Sequence, residues 1–459
     1  MSDLPENWVS AQLGEVCKVV RGITFPASAR QEKSTPKNVC CLRTTNVQKE
    51  VDWDDVYFVS AEYVKRADQF VKIGDILMSM ANSYELVGKV SVVRELPYST
   101  SFGAFISAVR PMPDIEAQYL FHVLRTAKVQ SELRKGSSQT VNIANISVSR
   151  LSEIEIPLAP LNEQKRIAEK LDRVLARVDS CESHLERVPE ILKRFRQSVL
   201  AAATSGRLTE DWREEKGVNG EWETVQLSQV ATSRLGKMLD VAKNRGELKP
   251  YLRNINVRWL AFDLSDIQEF RISDEEAETL GVRKGDVLVC EGGEPGRCAV
   301  WHGEDDIYLF QKALHRVRVS EKLLPEWLCY SLKSSADSGQ LADYFTGTTI
   351  KHFTGVALSR FEFDLPSIEE QAEIVRRVEK LFAYTERLNA RYRSADERVE
   401  RLTPSLLAKA FRGELVEQDP NDEPASILQE RIRKAREYTH ELSTKVKAKV
   451  GGKNAKKSK

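Results

Sequence analysis

Glu291 and Glu294 flank two glycines in the run CEGGEPGR. Paired carboxylates on a glycine turn either hold a cation or accept from the N4 amino group of cytosine. Two carboxylates alone make a poor metal site, and no metal is expected. Gly236-Lys237 is followed by Met238, without the hydroxyl that holds magnesium in a P-loop, and GxxxxGK[ST] occurs nowhere. There is no GxGxxG turn, and no Asn/Asp-Pro-Pro-aromatic tetrapeptide of the kind expected in an adenine aminomethyltransferase. The six histidines form no HExxH and the seven cysteines no CxxC, which argues against a zinc site or a disulfide framework. Cys40-Cys41 reads as a strand with one thiol buried. Nothing assembles into a catalytic site in 459 residues, which points away from chemistry by this chain.

The elements that carry these residues follow from length and pattern. At about one domain per 100–200 residues, two to four domains are expected. No apolar run approaches the ~18 residues of a membrane-spanning helix, and MSDLPENWVS is not a signal peptide. A soluble intracellular protein is expected. Net charge is +1, but residues 431–459 carry 11 Lys+Arg against 2 Asp+Glu, leaving the rest at −8. Contact with nucleic acid must therefore use local patches. The tail KVKAKVGGKNAKKSK reads as disordered, and 424–438 upstream as an amphipathic helix able to dock on the body or a partner.

The chain repeats itself. PLNEQKRIAEKL with Glu163-Gln164 recurs as PSIEEQAEIVRRV with Glu370-Gln371, 207 positions on. SVLAAATSGRLT (198–209) matches SLLAKAFRGELV (405–416) at the same offset. Upstream the offset drifts: NWVSAQLGEV (7–16) pairs with EWETVQLSQV (221–230), LRTTNV (42–47) with LRNINV (252–257), Gly74-Asp75 with Gly285-Asp286, and Gly88-Lys89 with Gly296-Arg297. These are two copies of one unit of about 200 residues. Each begins with an α+β domain: VKIGDILMSM, GKVSVV and FGAFISAVR read as strands, as do VRKGDVLVC, GRCAVW and HRVRV. QYLFHVLRTA and PEWLCYSLKSS read as short helices.

Each copy ends in a long helix. Ile167, Leu171, Val174, Val178, Cys181, Leu185, Val188, Leu192, Phe195 and Val199 keep a strict 3.5-residue period. Copy two keeps it from Ile374 to Leu406, with Thr385 as the one polar member. Two such seams in one chain predict an antiparallel coiled coil, kinked or interrupted at Pro189 and Pro404. The expected layout is a globular domain over 1–156, a first spacer helix over 157–206, and a linker over 207–220. A second globular domain follows over 221–363, a second spacer helix over 364–413, and a tail over 414–459. Residues 167–199 would rise roughly 50 Å. An object with internal pseudo-two-fold symmetry suits a ligand with two sites at fixed separation, such as double-stranded DNA. The alternative is a coiled-coil adaptor spacing two protein partners without DNA readout.

The order of globular domain, proline-led EQ helix, globular domain, EQ helix resembles the DNA specificity subunit of type I restriction–modification enzymes, enteric branch. The resemblance covers nearly the whole chain. It rests on IPLAPLNEQKRIAEKLDRVLARVD (156–179), LKRFRQSVL (192–200), SFGAF (101–105), YLRNINV (251–257), KGDVLVCEGG (284–293), EEQAEIVRRVEKLFAY (369–384) and LAKAFRGEL (407–415). It implies two target-recognition domains that read a bipartite asymmetric DNA target, with the paired helices setting the unread spacer. It implies no catalysis and no cofactor on this chain. Two modification subunits would methylate adenine with S-adenosylmethionine. Two restriction subunits would translocate and cut DNA with ATP and magnesium. The expected setting is the bacterial cytoplasm, at the nucleoid.

The duplication then sorts candidate DNA contacts. Residues shared by both copies cannot explain two different half-sites, so they suit architecture or phosphate contact. These are Arg43 with Arg253 and Lys89 with Arg297. Asn46 and Asn256 either hold a loop or touch DNA. Residues that differ inside matched loops are candidates for base reading, since Asn and Gln pair with adenine and Arg with guanine. In copy one they are Thr44, Gln48, Asn82, Ser83, Tyr84 and Gln139, from 44–48, SMANSYELVGK and GSSQTVN. In copy two they are Asn254, Arg258, Glu291, Glu294, Lys351 and His352, from 254–258, CEGGEPGR and GTTIKHF.

Overall fold

Strands Asn38–Leu42 and Glu247–Leu252 hold the same place in two copies of one arrangement. The structure is a computed structural model describing residues 4–135, 137–140, 143–218, 221–238 and 245–438. The basic tail at 445–459 lies outside the described residues, as do Gly136, Val141 and Asn142.

In copy one a four-stranded antiparallel sheet runs in the order Cys17–Arg21, Ile106–Pro111, Ile76–Ser79, Val90–Val92. Beside it, Asn38–Leu42 lies antiparallel to Tyr57–Ser60 and parallel to Thr100–Phe102. Copy two repeats both sheets, with Ala231–Leu235, Leu314–Val319, Val287–Cys290 and Cys298–Val300 in the first. In the second, Glu247–Leu252 lies between Gln268–Ile272 and Leu309–Phe310. The mixture with helices Ala117–Leu124 and Pro325–Ser338 gives the expected α+β class. Cys40 and Cys41 are both buried, which corrects the one-thiol reading. Their strand is central and covered on both faces, and burial pushes each thiol up to about 12.

The repeated Gly-Asp pair is a turn with a buried ion pair. Gly74 and Gly285 take φ of 85° and 87°, the left-handed region that glycine tolerates. Asp75 accepts from the Lys72 amide at 2.8 Å and holds Arg110 at 2.6 Å. Asp286 accepts from the Arg283 amide at 2.7 Å and holds Arg318 at 2.7 Å.

The long helices are α1 (Leu161–Leu185), α2 (Val188–Thr204), α3 (Ile368–Glu400) and α4 (Leu402–Ala410), and residues 425–438 form α5. The breaks fall just ahead of Pro189 and Pro404, where a proline is tolerated near a helix start.

The chain divides into two compact units, Leu185–Ala395 and the remainder, Met1–His184 with Asp396–Lys459. In the first of these, Leu200 and Ala203 of α2 are buried with Trp327, Leu328, Ile374 and Val378. α2 and α3 run antiparallel there: Arg196 meets Thr385 at 3.1 Å, and Arg377 meets the Leu208 carbonyl at 2.8 Å. Thr385, the polar member of the seam, is buried and hydrogen-bonded, accepting from Arg196 and donating to the Phe382 carbonyl.

In the other unit the same role falls to residues from the second copy. Leu407 and Ala410 of α4 are buried with Tyr119, Leu120, Ile167 and Leu171. Gln418 donates to Glu163 at 2.9 Å and Arg166 pairs with Asp422 at 2.7 Å, which ties the segment after α4 to the start of α1. α5 docks on this body: Leu428 and Ile432 enter the core, and the Ala425 amide donates to the Asn7 carbonyl at 2.9 Å. Each copy's globular domain is thus completed by a helix from the other copy.

The EQ motifs are latches. Glu163 accepts the Trp8 indole at 2.9 Å, and Glu370 the Trp222 indole at 3.0 Å. Gln164 accepts the Glu116 amide and Gln371 the Leu324 amide, each at the start of a helix. Among the described residues no helix is long and apolar enough to cross a membrane.

Candidate nucleic-acid interface

One set of backbone bonds, made twice, frames the loops. In copy one the Gly103 amide donates to Leu42, Met80 to Phe105, Ile106 to Gly103, and Ile146 to Met80, at 2.8–2.9 Å. In copy two Gln311 donates to Leu252, Glu291 to Ala313, Leu314 to Gln311, and Phe353 to Glu291, at 2.7–3.2 Å. Gly22 and Gly236 pass against this frame. A Cβ there would lie 2.1 Å from the Gly103 carbonyl oxygen, or 2.2 Å from that of Gln311, so only glycine fits.

In copy two the frame borders an open hollow of about 470 Å³. Asn254, Glu291 and His352 line it, one from each of the three loops expected to read bases, together with Lys237, Gln311 and Lys312. His315 lies beneath, and its Nε2 donates to the Phe353 carbonyl at 3.0 Å. Burial lowers the His315 pKa, so the ring stays neutral as it pins the end of the His352 loop. Lys237 pairs with Glu276, and Lys312 is exposed. Lys351 is exposed beside His352.

The frame also resets the third loop. Ile146 corresponds to Phe353, so the partner of His352 is Asn145, not a residue of 136–142. Gln139 instead lies on a hairpin of copy one, Ser138–Thr140 with Ile143–Asn145, which pairs on with Ala81–Asn82. That hairpin carries Gln139 to the same three-stranded sheet as Asn82. Asn82 donates to Ser79 at 3.3 Å and accepts the Ser83 amide at 2.9 Å, while Tyr84 is exposed.

Asn46 and Asn256 hold loops. Each is buried, accepts the amide of Arg43 or Arg253, and donates to two carbonyls, Asp52 and Asp55 or Asp263 and Asp266. With both amide ends engaged, they carry architecture. Arg43 and Arg253 brace the same loops, pairing with Asp55 and Asp266 at 2.6 Å each. Lys89 pairs with Gln48, whose amide donates to the Thr45 carbonyl at 2.7 Å. Arg297 donates to the Asn254 carbonyl at 2.7 Å and pairs with Glu294 at 2.9 Å. The shared basic position therefore stitches the first loop to the second in both copies. Glu294 also accepts the Trp259 indole at 2.6 Å, so each of its carboxylate oxygens has one donor. Thr44 opens the first-loop turn, and Arg258 pairs with Asp263 at 3.2 Å. Lys49, next to Gln48, anchors that loop to Asp179 of α1.

Sequence reasoning missed Gln311, Lys312 and Asn145. The first two fall just ahead of the HRVRV strand, in a stretch without an assigned role. The signal that would have found them is the mismatch of Gln311-Lys312 with Gly103-Ala104 at the same offset as Gly88 and Gly296. Among the described residues no three His, Cys, Asp or Glu side chains gather to hold a metal ion.

Comparison with known proteins now bears on this surface. Residues 5–189 and 219–394 each match the Type I restriction modification DNA specificity domain. The chain is 33% identical to the type I restriction enzyme EcoKI specificity subunit of Escherichia coli K12, over 99% of both chains. It is 32% identical to the StySPI specificity subunit of Salmonella potsdam, over 92% of both. In fold it matches a structure described for assembly and conformational transition of the type I R-M system, with a TM-score of 0.67, 19% identity and coverage of 90% of this chain and 99% of the other. The HsdS subunit from Thermoanaerobacter tengcongensis matches with a TM-score of 0.60 and 18% identity, over 90% of this chain and 98% of the other. Two matched domains, and relatives that run end to end with it, place this chain in the family of type I restriction–modification DNA specificity subunits.

Proposed function

We propose that this chain reads a bipartite asymmetric DNA target, one half-site per copy, and thereby directs adenine methylation or restriction by partner subunits. DNA target specificity is the function of the family, and catalysis is not. In the complex we assign to it, two modification subunits use S-adenosylmethionine, and two restriction subunits use ATP and magnesium. The setting is the cytoplasm, at the nucleoid, and α1 to α4 set the unread spacer.

The observation that carries the reading is the hollow of copy two, where residues that differ between the copies converge on a frame that both copies share. A shared frame with exchanged side chains is what two half-sites of different sequence require. Asn254, Glu291 and His352 read bases there, with Gln311 and Lys312 added, and Arg258, Glu294 and Lys351 read bases from the same loops. Thr44, Gln48, Asn82, Ser83, Tyr84 and Gln139 do so in copy one. Arg43, Lys89, Arg253 and Arg297 serve the backbone side, by bracing loops and by phosphate contact.

The test is methylome sequencing of a host carrying the system, with this gene deleted as control. A two-part motif must vanish with the gene. A motif that persists would refute the reading.

A further inference from the structure

Phe105 is 67% exposed, on a turn that leaves it little freedom. Its carbonyl accepts the Met80 amide at 2.8 Å, and the turn closes with Ile106 donating to Gly103 at 2.9 Å. Gly103 is in turn bonded to Leu42, the residue before Arg43, at 2.9 Å. The backbone of its turn is therefore tied both to the strand that leads into the first loop and to the strand that leads into the loop of Asn82 and Tyr84.

The matched bonds give its counterpart in copy two. Glu291 donates to Ala313 as Met80 does to Phe105. Ala313 lines the hollow with Asn254, Glu291 and His352. At one point of the common frame, copy one thus projects an aromatic ring where copy two has a methyl group. A bulky apolar ring held rigidly in water gains only when a partner covers it. On a DNA partner, the flat apolar group available to a ring is the face of a base.

We propose that Phe105 is a stacking wedge. Its ring packs against a base step in the half-site read by copy one and unstacks it, while no ring from copy two does so in the other half-site. This rests on the proposed reading of the surface as a DNA interface. Apolar side chains presented to a groove unstack base steps in this way. The asymmetry is testable because, apart from a target adenine that the modification subunits turn out of the stack, only the copy-one half-site should carry a further unstacked step.

The experiment uses the assembled methyltransferase, this chain with its modification subunits, without methyl donor. Duplexes of the cognate target carry 2-aminopurine at single positions through both half-sites. With wild type, fluorescence should rise at one step of the copy-one half-site away from any adenine turned out by the modification subunits. Phe105→Ala should remove that rise and weaken specific binding roughly tenfold to a hundredfold. Phe105→Trp should keep both. If Phe105→Ala binds as tightly as wild type, or binds more weakly with the fluorescence pattern unchanged, the wedge is refuted. If wild type itself shows no preference for the cognate duplex, the underlying DNA reading fails instead, and the two failures are distinct.

Discussion

The Trp222 indole donates to the buried Glu370 carboxylate at 3.0 Å, and the same carboxylate takes Arg213 at 2.5 Å and Thr209 at 2.7 Å. One side chain on α3 thereby ties down the segment that follows α2 and the chain just before the first strand of the second domain. Removing one partner of a buried ion pair leaves the other charge without compensation. Glu370→Ala should cost about 3–5 kcal/mol in urea unfolding of the isolated chain. Trp222→Phe removes only a donor and should cost about 1–2 kcal/mol. A Glu370→Ala midpoint equal to wild type would remove the latch from the account.

Asp75 and Asp286 make a parallel case. Each is almost wholly buried and faces an arginine across a sheet. Asp75→Ala and Asp286→Ala should each destabilise by about 3–5 kcal/mol. The two effects should add, because each carboxylate serves a different unit. Strong non-additivity in the double variant would contradict this.

His122 carries a pH dependence. Its Nε2 lies 2.8 Å from Asp172 of α1, but burial outweighs that attraction and lowers its pKa. Asp172 itself is held below its usual value, so it stays charged. A histidine with a folded pKa below its unfolded value near ~6.5 favours the fold fully above that value. That contribution is lost as pH falls through the folded value. The urea midpoint should drop between pH 7.5 and 5.5, and His122→Gln should flatten the drop. An equal drop in both proteins would assign the effect elsewhere.

The duplication predicts two kinds of DNA phenotype. Arg258→Ala and Asn254→Ala should each relax one position in the half-site read by copy two, at about 1–3 kcal/mol, and leave the other half-site intact. Gln48→Ala should do so in the opposite half-site. Arg43→Ala should weaken all targets alike and flatten the salt slope by roughly one unit. A binding titration over a library randomised in both half-sites, at two salt concentrations, separates them. Reversal of the two patterns would end the rule that differing residues carry specificity.

Much of this was legible in the residues. The strands of both copies and the breaks ahead of Pro189 and Pro404 follow from apolar pattern and proline chemistry. The seam marked the buried face only in part, since Ile167, Leu171, Val178 and Ile374 are buried while Cys181, Phe195 and Leu402 are exposed, and it did not say against which domain. Leu407 and Leu200 sit at matched positions, and nothing local says that Leu407 completes the first domain. The third loop was misaligned because the hairpin at 138–145 of copy one has a shorter counterpart in copy two, the bridge from Thr346 to His352. Phe105 was hidden because GAF interrupts an apolar run without a charge or proline to mark the turn.

The exchange of helices also sets an order of events during synthesis. The unit spanning Leu185–Ala395 is continuous, so it has every residue it needs once that stretch has left the ribosome. The other unit begins first but waits for Leu407, Ala410, Leu428 and Ile432, among the last core residues to emerge. Domains usually fold in the order in which they are made. Here the earlier domain keeps an open apolar face until residues 407–432 emerge, and a nascent chain stalled after Ala395 should present one finished domain and one unfinished, with the finished one nearer the tunnel.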